Sequence, residues 1–200
     1  KPLIPRTRTF EISERMRYDG SVESAIELED VDGAVRSISD DDEVAVAICF
    51  LHSYANPTHE IEAKQLCEKL RPDLFVCNSH EVLSQFREYE RFSTTALNAI
   101  LGPLMSQYFS HLKANLDGRG YRRDIYIMTS NGGVSTVERA KELPISTVLS
   151  GPAGGVAAAV YLGKRHNLPN LITCDMGGTS TDVCLVEDLR IPVTNEHLSP

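Results

Sequence analysis

VAVAICFL, residues 44–51, is short, almost wholly apolar and partly β-branched, the pattern of a strand covered on both faces in a parallel sheet. A helix is expected after it. Asn56 suits an N-cap and Pro57 the first helical position, while Ile61, Leu66 and Leu70 lay an apolar stripe along the following turns until Arg71-Pro72 ends them. Leu74–Cys77 reads as a second buried strand. Strand, helix, strand with tight connections is the grammar of an α/β layer.

Working outward, the first 40 residues are polar and acidic, and Asp40-Asp41-Asp42-Glu43 reads as a solvated turn. Downstream, Phe92, Ala96, Ile100, Leu104, Tyr108 and Leu112 recur at helical spacing from about Glu88 to Leu116, with a kink expected at Gly102-Pro103. Asp117-Gly118-Arg119-Gly120 breaks that pattern and divides the chain into 1–117 and 118–200. The second part resumes the alternation. Ile125–Met128 is a strand, Ser130-Asn131-Gly132-Gly133 a turn or the lip of a cleft, and Ser135 with Glu138 a capping box for a short helix. Val156–His166 reads as a small-residue helix, and Leu171–Cys174 and Ser180–Val186 as the two strands of a hairpin.

Chain length with 42% apolar and 24% charged residues allows a real core, and a net charge of −8 without a basic cluster argues against nucleic acid. Apolar runs are too short to span a bilayer, and Lys1–Arg6 lacks the apolar core of a signal peptide, so a cytoplasmic location is expected. Both ends read as cut. The five cysteines, Cys49, Cys67, Cys77, Cys174 and Cys184, have no metal-knuckle spacing and read as reduced core residues. The six histidines, His197 among them, form no metal triplet; His52 and His59 are candidates for a cleft, though a satisfied structural role is the simpler reading for each.

Chemistry concentrates in Asp175-Met176-Gly177-Gly178-Thr179-Ser180-Thr181-Asp182, at a strand end, a tight turn and the start of the return strand. Two glycines let a backbone turn sharply and aim its N–H groups outward as an anion nest. Thr179, Ser180 and Thr181 add hydroxyl donors for phosphate oxygens. Asp175 would hold a hydrated Mg²⁺ or orient an attacking water, and cross-strand pairing would bring Asp182 to the same place. Ser150-Gly151-Pro152-Ala153-Gly154-Gly155 leads into a helix start; Gly151, Gly154 and Gly155 there serve either an anion or the close packing of helix on sheet. No Walker lysine follows that segment, and no Gly-x-Ser-x-Gly elbow occurs.

FLHSYANPTHE (50–60), REYERFSTTALNAIL (87–101), MTSNGGV (128–134), LSGPAGGV (149–156) and DMGGTSTDVCLV (175–186) together resemble the ATP-dependent hydantoinase A and 5-oxoprolinase family, which includes acetone carboxylase subunits. The resemblance implies an internal fragment of an enzyme with two ribonuclease-H-like lobes, the fold of the actin, sugar kinase and heat-shock chaperone ATPases. Residues 1–117 would then be the C-terminal part of the first lobe, and 118–200 the N-terminal part of the second with its phosphate hairpin. Gly177, Gly178, Thr179, Ser180 and Thr181 would cradle the phosphates of ATP, and Asp175 would serve the metal or water. The first Asp/Gly-rich hairpin and the adenosine-binding part of such proteins have no counterpart in these residues, so the isolated fragment is expected to be inactive. The implied reaction is phosphorylation of a cyclic amide carbonyl followed by ring opening, with a hydantoinase B-type subunit or a second copy of the chain as implied partners. Alternatives are an ATP-dependent ketone carboxylase subunit and a non-catalytic nucleotide-binding module.

Overall fold

The computed structural model of the protein describes residues 3–39 and 45–191; the acidic run at 40–43, Val44 and His197 lie outside the described residues. The fold is α/β, and the chain forms two compact units that divide between Arg122 and Arg123, with Lys141–Ile145 returning to the first.

The first unit opens with a single 3-10 turn, Arg6–Arg8, and an antiparallel pair, β1 (Arg15–Met16) and β2 (Val22–Ser24). α1 (Leu28–Arg36) follows, an element hidden in the acidic opening because only Val31 and Val35 of its nine residues are buried. β3 (Ala45–Ile48) and β4 (Phe75–Asn78) then pair in parallel around α2 (Thr58–Leu70), as strand, helix, strand grammar requires. Val31 and Val35 of α1, Ala63 and Cys67 of α2, and Ile48 and Val76 of the strands make the core on one face. On the other lie Phe75 and Cys77, the latter donating its Sγ–H to Thr95 O at 3.7 Å. Thr95 belongs to α4 (Glu88–Gly118), which follows the short α3 (Ser79–Val82).

Local readings shift by small amounts. The helix α2 starts at Thr58 with Pro57 at its N-cap, yet Asn56 still caps, accepting from Thr58 N at 3.1 Å and Thr58 Oγ1 at 2.6 Å. The buried residues of α2 are His59, Glu60, Ala63 and Cys67, and Ile61 is exposed, so the expected stripe is rotated toward two polar residues. The helix α4 continues through Pro103, and Gly102 is buried against Phe75. A Cβ at Gly102 would enter the Phe75 ring. Gly102→Ala is therefore expected to destabilise by about 1–3 kcal/mol through overpacking, despite alanine's better helix propensity; chemical denaturation measures it, and a gain in stability would refute the contact.

In the second unit, β5 (Tyr126–Met128) and β6 (Val134–Thr136) form an antiparallel hairpin, and α5 (Val137–Glu142) follows directly. Its cap is Thr136, the last residue of β6, whose Oγ1 accepts from Arg139 N at 3.2 Å; the hydroxyl of Ser135, the expected cap, donates instead to Thr136 O at 3.3 Å. A 3-10 turn, Pro144–Thr147, leads to α6 (Ser150–His166), which returns through a short connection to β7 (Leu171–Met176) and its antiparallel partner β8 (Thr181–Val186). Gly163 lets this helix approach: a Cβ there would lie 2.8 Å from Leu168 O, Leu171 Cδ1 and Leu189 Cδ2. All five cysteines are free, but Cys174 is exposed on β7, so it is no core residue. Among the described residues no helix is long and apolar enough to cross a membrane.

Candidate functional site

The β7–β8 register sets Asp175 opposite Asp182 and Met176 opposite Thr181, leaving Gly177-Gly178-Thr179-Ser180 as the turn. Gly177 N–H donates to Ser180 O at 2.9 Å, while the N–H groups of Gly178, Thr179 and Ser180 have no hydrogen-bond partner among the described residues. The whole turn is exposed. Neither glycine has a positive φ, and a Cβ at Gly178 would meet nothing within 4 Å. Turning the chain therefore does not demand glycine here, contrary to the reading of the two glycines as a sharp-turn device; at Gly178 the missing side chain leaves open space on a turn that also carries unpaired amides.

Asp175 and Asp182 are directly opposed like charges, an arrangement that weakens a hairpin by a few tenths to about 1 kcal/mol. Hard carboxylate oxygens so placed fit a divalent cation that keeps most of its coordination in water or phosphate. No group of three metal-ligating side chains occurs among the described residues, so any such ion would depend on those other ligands.

The other glycine-rich segments resolve differently. Ser150–Gly155 is already helix, entered from Leu149 at φ 60, and its first ladder bond is Ala153 N to Leu149 O at 3.3 Å. Gly151 lies in the first turn, where N–H groups are free; Gly154 and Gly155 lie beyond it, where the helix ladder takes them. Gly154 faces Met128, with a Cβ position 3.4 Å from its Cγ, which is the close-packing role, and Gly155 faces open space. The Thr129–Gly133 turn is internally satisfied: Asn131 Oδ1 accepts from Gly133 N at 2.8 Å and from Thr129 Oγ1 at 2.6 Å, and Gly132 takes φ 78. It is a plain turn with no free nest.

The first unit holds a polar cluster that sequence reading missed. Glu60, Ser79 and Arg91 are fully buried past the C-terminal ends of β3 and β4. Glu60 Oε1 accepts from Phe50 N at 3.0 Å and Ser79 Oγ at 2.5 Å; Oε2 accepts from His80 N at 2.9 Å and His80 Nδ1 at 2.8 Å. Arg91 donates from Nε to Ser79 Oγ, from Nη1 to Gln85 O and from Nη2 to Phe50 O, at 3.1, 2.8 and 3.0 Å. Its guanidinium also lies 5.3 Å from the Tyr54 ring centre and 5.1 Å from that of Phe92. Beside it, Glu14 Oε2 accepts from His59 Nδ1 at 2.7 Å, both side chains being nearly buried. His59 and His80 thus have structural partners, and His52 stands at φ 56 with Nδ1 3.3 Å from Tyr54 Oη.

Burial pushes the Glu60 carboxyl up, but the bonds from His80, Ser79 and Phe50 together outweigh it and hold Glu60 below its ordinary 4.5. A depressed native value contributes stability that is complete above the unfolded pKa and is lost as pH falls through the folded one. Melting temperatures are accordingly expected to drop with pH below about 4.5, and Glu60→Gln is expected to flatten that dependence. Parallel curves for the two proteins would show that Glu60 is not linked to folding.

Comparison with known proteins agrees with this layout. The family model described as Hydantoinase/oxoprolinase matches residues 91–199, and that of the Hydantoinase/oxoprolinase N-terminal region matches residues 1–71. Caprolactamase subunit alpha of Pseudomonas jessenii is 36% identical over 183 residues, covering 92% of this chain and 26% of the relative. The crystal structure of the ATP-dependent caprolactamase from that organism superposes with a TM-score of 0.79 over 87% of this chain and 25% of its own. A nucleotide-free structure of acetone carboxylase gives a TM-score of 0.80 at 31% identity, covering 94% of this chain and 27% of that one. The 5-oxoprolinase of Saccharomyces cerevisiae is 35% identical over 151 residues, 74% of this chain and 11% of the enzyme. The chain thus spans about a quarter of the length of the caprolactamase and acetone carboxylase chains. With one family model spanning more than half of it and a second its beginning, the chain belongs to the hydantoinase/oxoprolinase family.

Proposed function

We propose that these residues form part of an ATP-dependent enzyme that opens cyclic amides, and that the Asp175–Asp182 hairpin holds the phosphates of ATP. The observation that carries this is the exposed turn with unpaired amides at Gly178, Thr179 and Ser180 and with glycines the backbone does not need, Gly178 bordering open space. Relatives named caprolactamase and 5-oxoprolinase support an amide substrate, and the caprolactamase is named ATP-dependent.

The amides and the hydroxyls of Thr179, Ser180 and Thr181 would orient the phosphate chain, with Gly151 N–H at the start of α6 as an added donor. Asp175, with Asp182 opposite, would hold Mg²⁺, which supplies neutralisation of charge on the transferring group. The ribonuclease-H-like lobes of the actin superfamily are the architecture in which we place the hairpin. An amide nitrogen leaves poorly from an unactivated carbonyl. Transfer of the γ-phosphoryl to the carbonyl oxygen gives a phosphorylated imidate that water attacks at carbon; collapse of the adduct breaks the ring C–N bond, the nitrogen taking up a proton, and leaves an acyl phosphate that a second water hydrolyses to carboxylate and phosphate. In the full-length polypeptide, cyclic-amide-dependent ADP release is the assay, applied to Asp175→Asn and Gly178→Val; unchanged turnover in both would sink the proposal.

A second reading, a ketone carboxylase subunit using the same phosphoryl step, is favoured by the likeness to acetone carboxylase. Bicarbonate-dependent turnover on a ketone would select it. Relatives named as subunits support a partner chain for either reading.

A further inference from the structure

Among the described residues, the β7–β8 hairpin is covered on one face only. Paired residues share a face of a sheet, and neighbours along a strand alternate. Leu171 with Val186 and Thr173 with Cys184 lie on the face that α6 approaches, where Val186 is fully buried and Gly163 packs against Leu171. Ile172 with Leu185, Cys174 with Val183 and Met176 with Thr181 make the opposite face. That face is bare: Ile172 is 72% exposed, Met176 74%, Val183 65% and Leu185 49%, and Cys174 is exposed among them.

An antiparallel sheet with one face in water alternates apolar and polar residues along its strands. This hairpin does not. Five of the six side chains on the bare face are apolar, the sixth being Thr181 beside the turn, while the α6 face holds Leu171 and Val186 as well. Strands apolar on both faces are those that a sheet buries between two layers.

The size of the face indicates what covers it. Six-residue strands are about 20 Å long and two of them about 10 Å wide, a footprint on the order of 200 Å². Stable association of separate chains takes roughly 800 Å² from each partner. A second copy held here alone falls short, whereas a segment of the same polypeptide loses no translational freedom on docking. The matched part is only 25% and 27% of the caprolactamase and acetone carboxylase chains, so most of such a polypeptide lies elsewhere. Among the described residues β8 is the last element, and consecutive elements are usually neighbours in space.

We propose that the bare face is the docking surface for a helix from the polypeptide beyond residue 200. Its apolar stripe rests on Ile172, Val183 and Leu185, completing a helix, sheet, helix sandwich with α6. Met176 adjoins Gly177, so the same helix walls one flank of the 177–180 turn.

The test is thiol labelling of the native full-length polypeptide, read at Cys174 by peptide mass spectrometry over a range of protein concentrations. A companion variant, Val183→p-benzoylphenylalanine, reports by photo-crosslinking what lies on the face. Cys174 is expected to react at least about 100-fold more slowly than in urea, because a covered thiol waits for local opening, and at a rate independent of protein concentration. Crosslinks are expected within the same chain at residues beyond 200. Should the bulky residue prevent folding, Val183→Cys extends the labelling to a second position, with the same protection expected. Reaction within a few-fold of the unfolded rate leaves the face open to water and overturns the proposal. Protection lost on dilution, or crosslinks to another copy, to a partner subunit or to residues before 200, overturns it as well. No readout involves ATP turnover, so this surface and the phosphate role of the hairpin fail separately.

Discussion

Arg91→Ala is expected to lower the unfolding free energy by on the order of 3–5 kcal/mol, the scale for removing one member of a buried charged network. Its guanidinium has no exposed surface and donates to Ser79 Oγ and to the carbonyls of Gln85 and Phe50. Alanine would leave both carbonyls without that donor and open a void beside the Tyr54 and Phe92 rings. Arg91→Lys keeps the charge but cannot span three acceptors at once, so an intermediate loss is expected. Urea unfolding of the full-length polypeptide measures both. A shift below about 1 kcal/mol for alanine would show that the network adds little to the fold.

The hairpin substitutions should behave in the opposite way, leaving the fold intact and removing activity. Asp175→Asn is expected to reduce amide-dependent ATP turnover at least about 100-fold, the usual cost of losing one preorganised electrostatic contact to the transition state. Stability should hold or rise slightly, since the substitution relieves the opposition to Asp182. Gly178→Val should abolish turnover to a similar degree, because the branched side chain fills the approach to the free amides. Nothing within 4 Å obstructs it and the backbone there is not left-handed, so the unfolding midpoint should move by no more than about 0.5 kcal/mol. Loss of turnover accompanied by unfolding would assign these residues to structure.

Much of this layout was legible from side-chain pattern. The β3–α2–β4 unit could be read because parallel strands leave apolar runs with helical text between them, and the DMGGTSTD turn because glycines and hydroxyls cluster between two β-branched segments. The buried polar cluster could not. Glu60 and Arg91 stand in helical sequence where charged residues normally face water, and only tertiary packing shows that α2 turns His59 and Glu60 inward. The same limit moved the cap of α5 from Ser135 to Thr136: both carry a hydroxyl and both pair in β6, and only the folded backbone shows that Thr136 Oγ1 meets Arg139 N while the Ser135 hydroxyl goes to Thr136 O. Sequence also could not separate turn-forming from clearance-giving glycines. Gly132 needs its left-handed φ, whereas Gly177 and Gly178 do not.

The interleaving of the two units constrains how the chain can be divided. Asn98 is fully buried on α4, with Nδ2 donating to Glu142 O and Oδ1 accepting from Ile145 N, so a five-residue strap from beyond the division completes the first unit. No single scission frees an intact half. A piece ending at residue 122 would strand an interior carboxamide, and excising the second unit means joining residue 122 to 141 rather than stopping there.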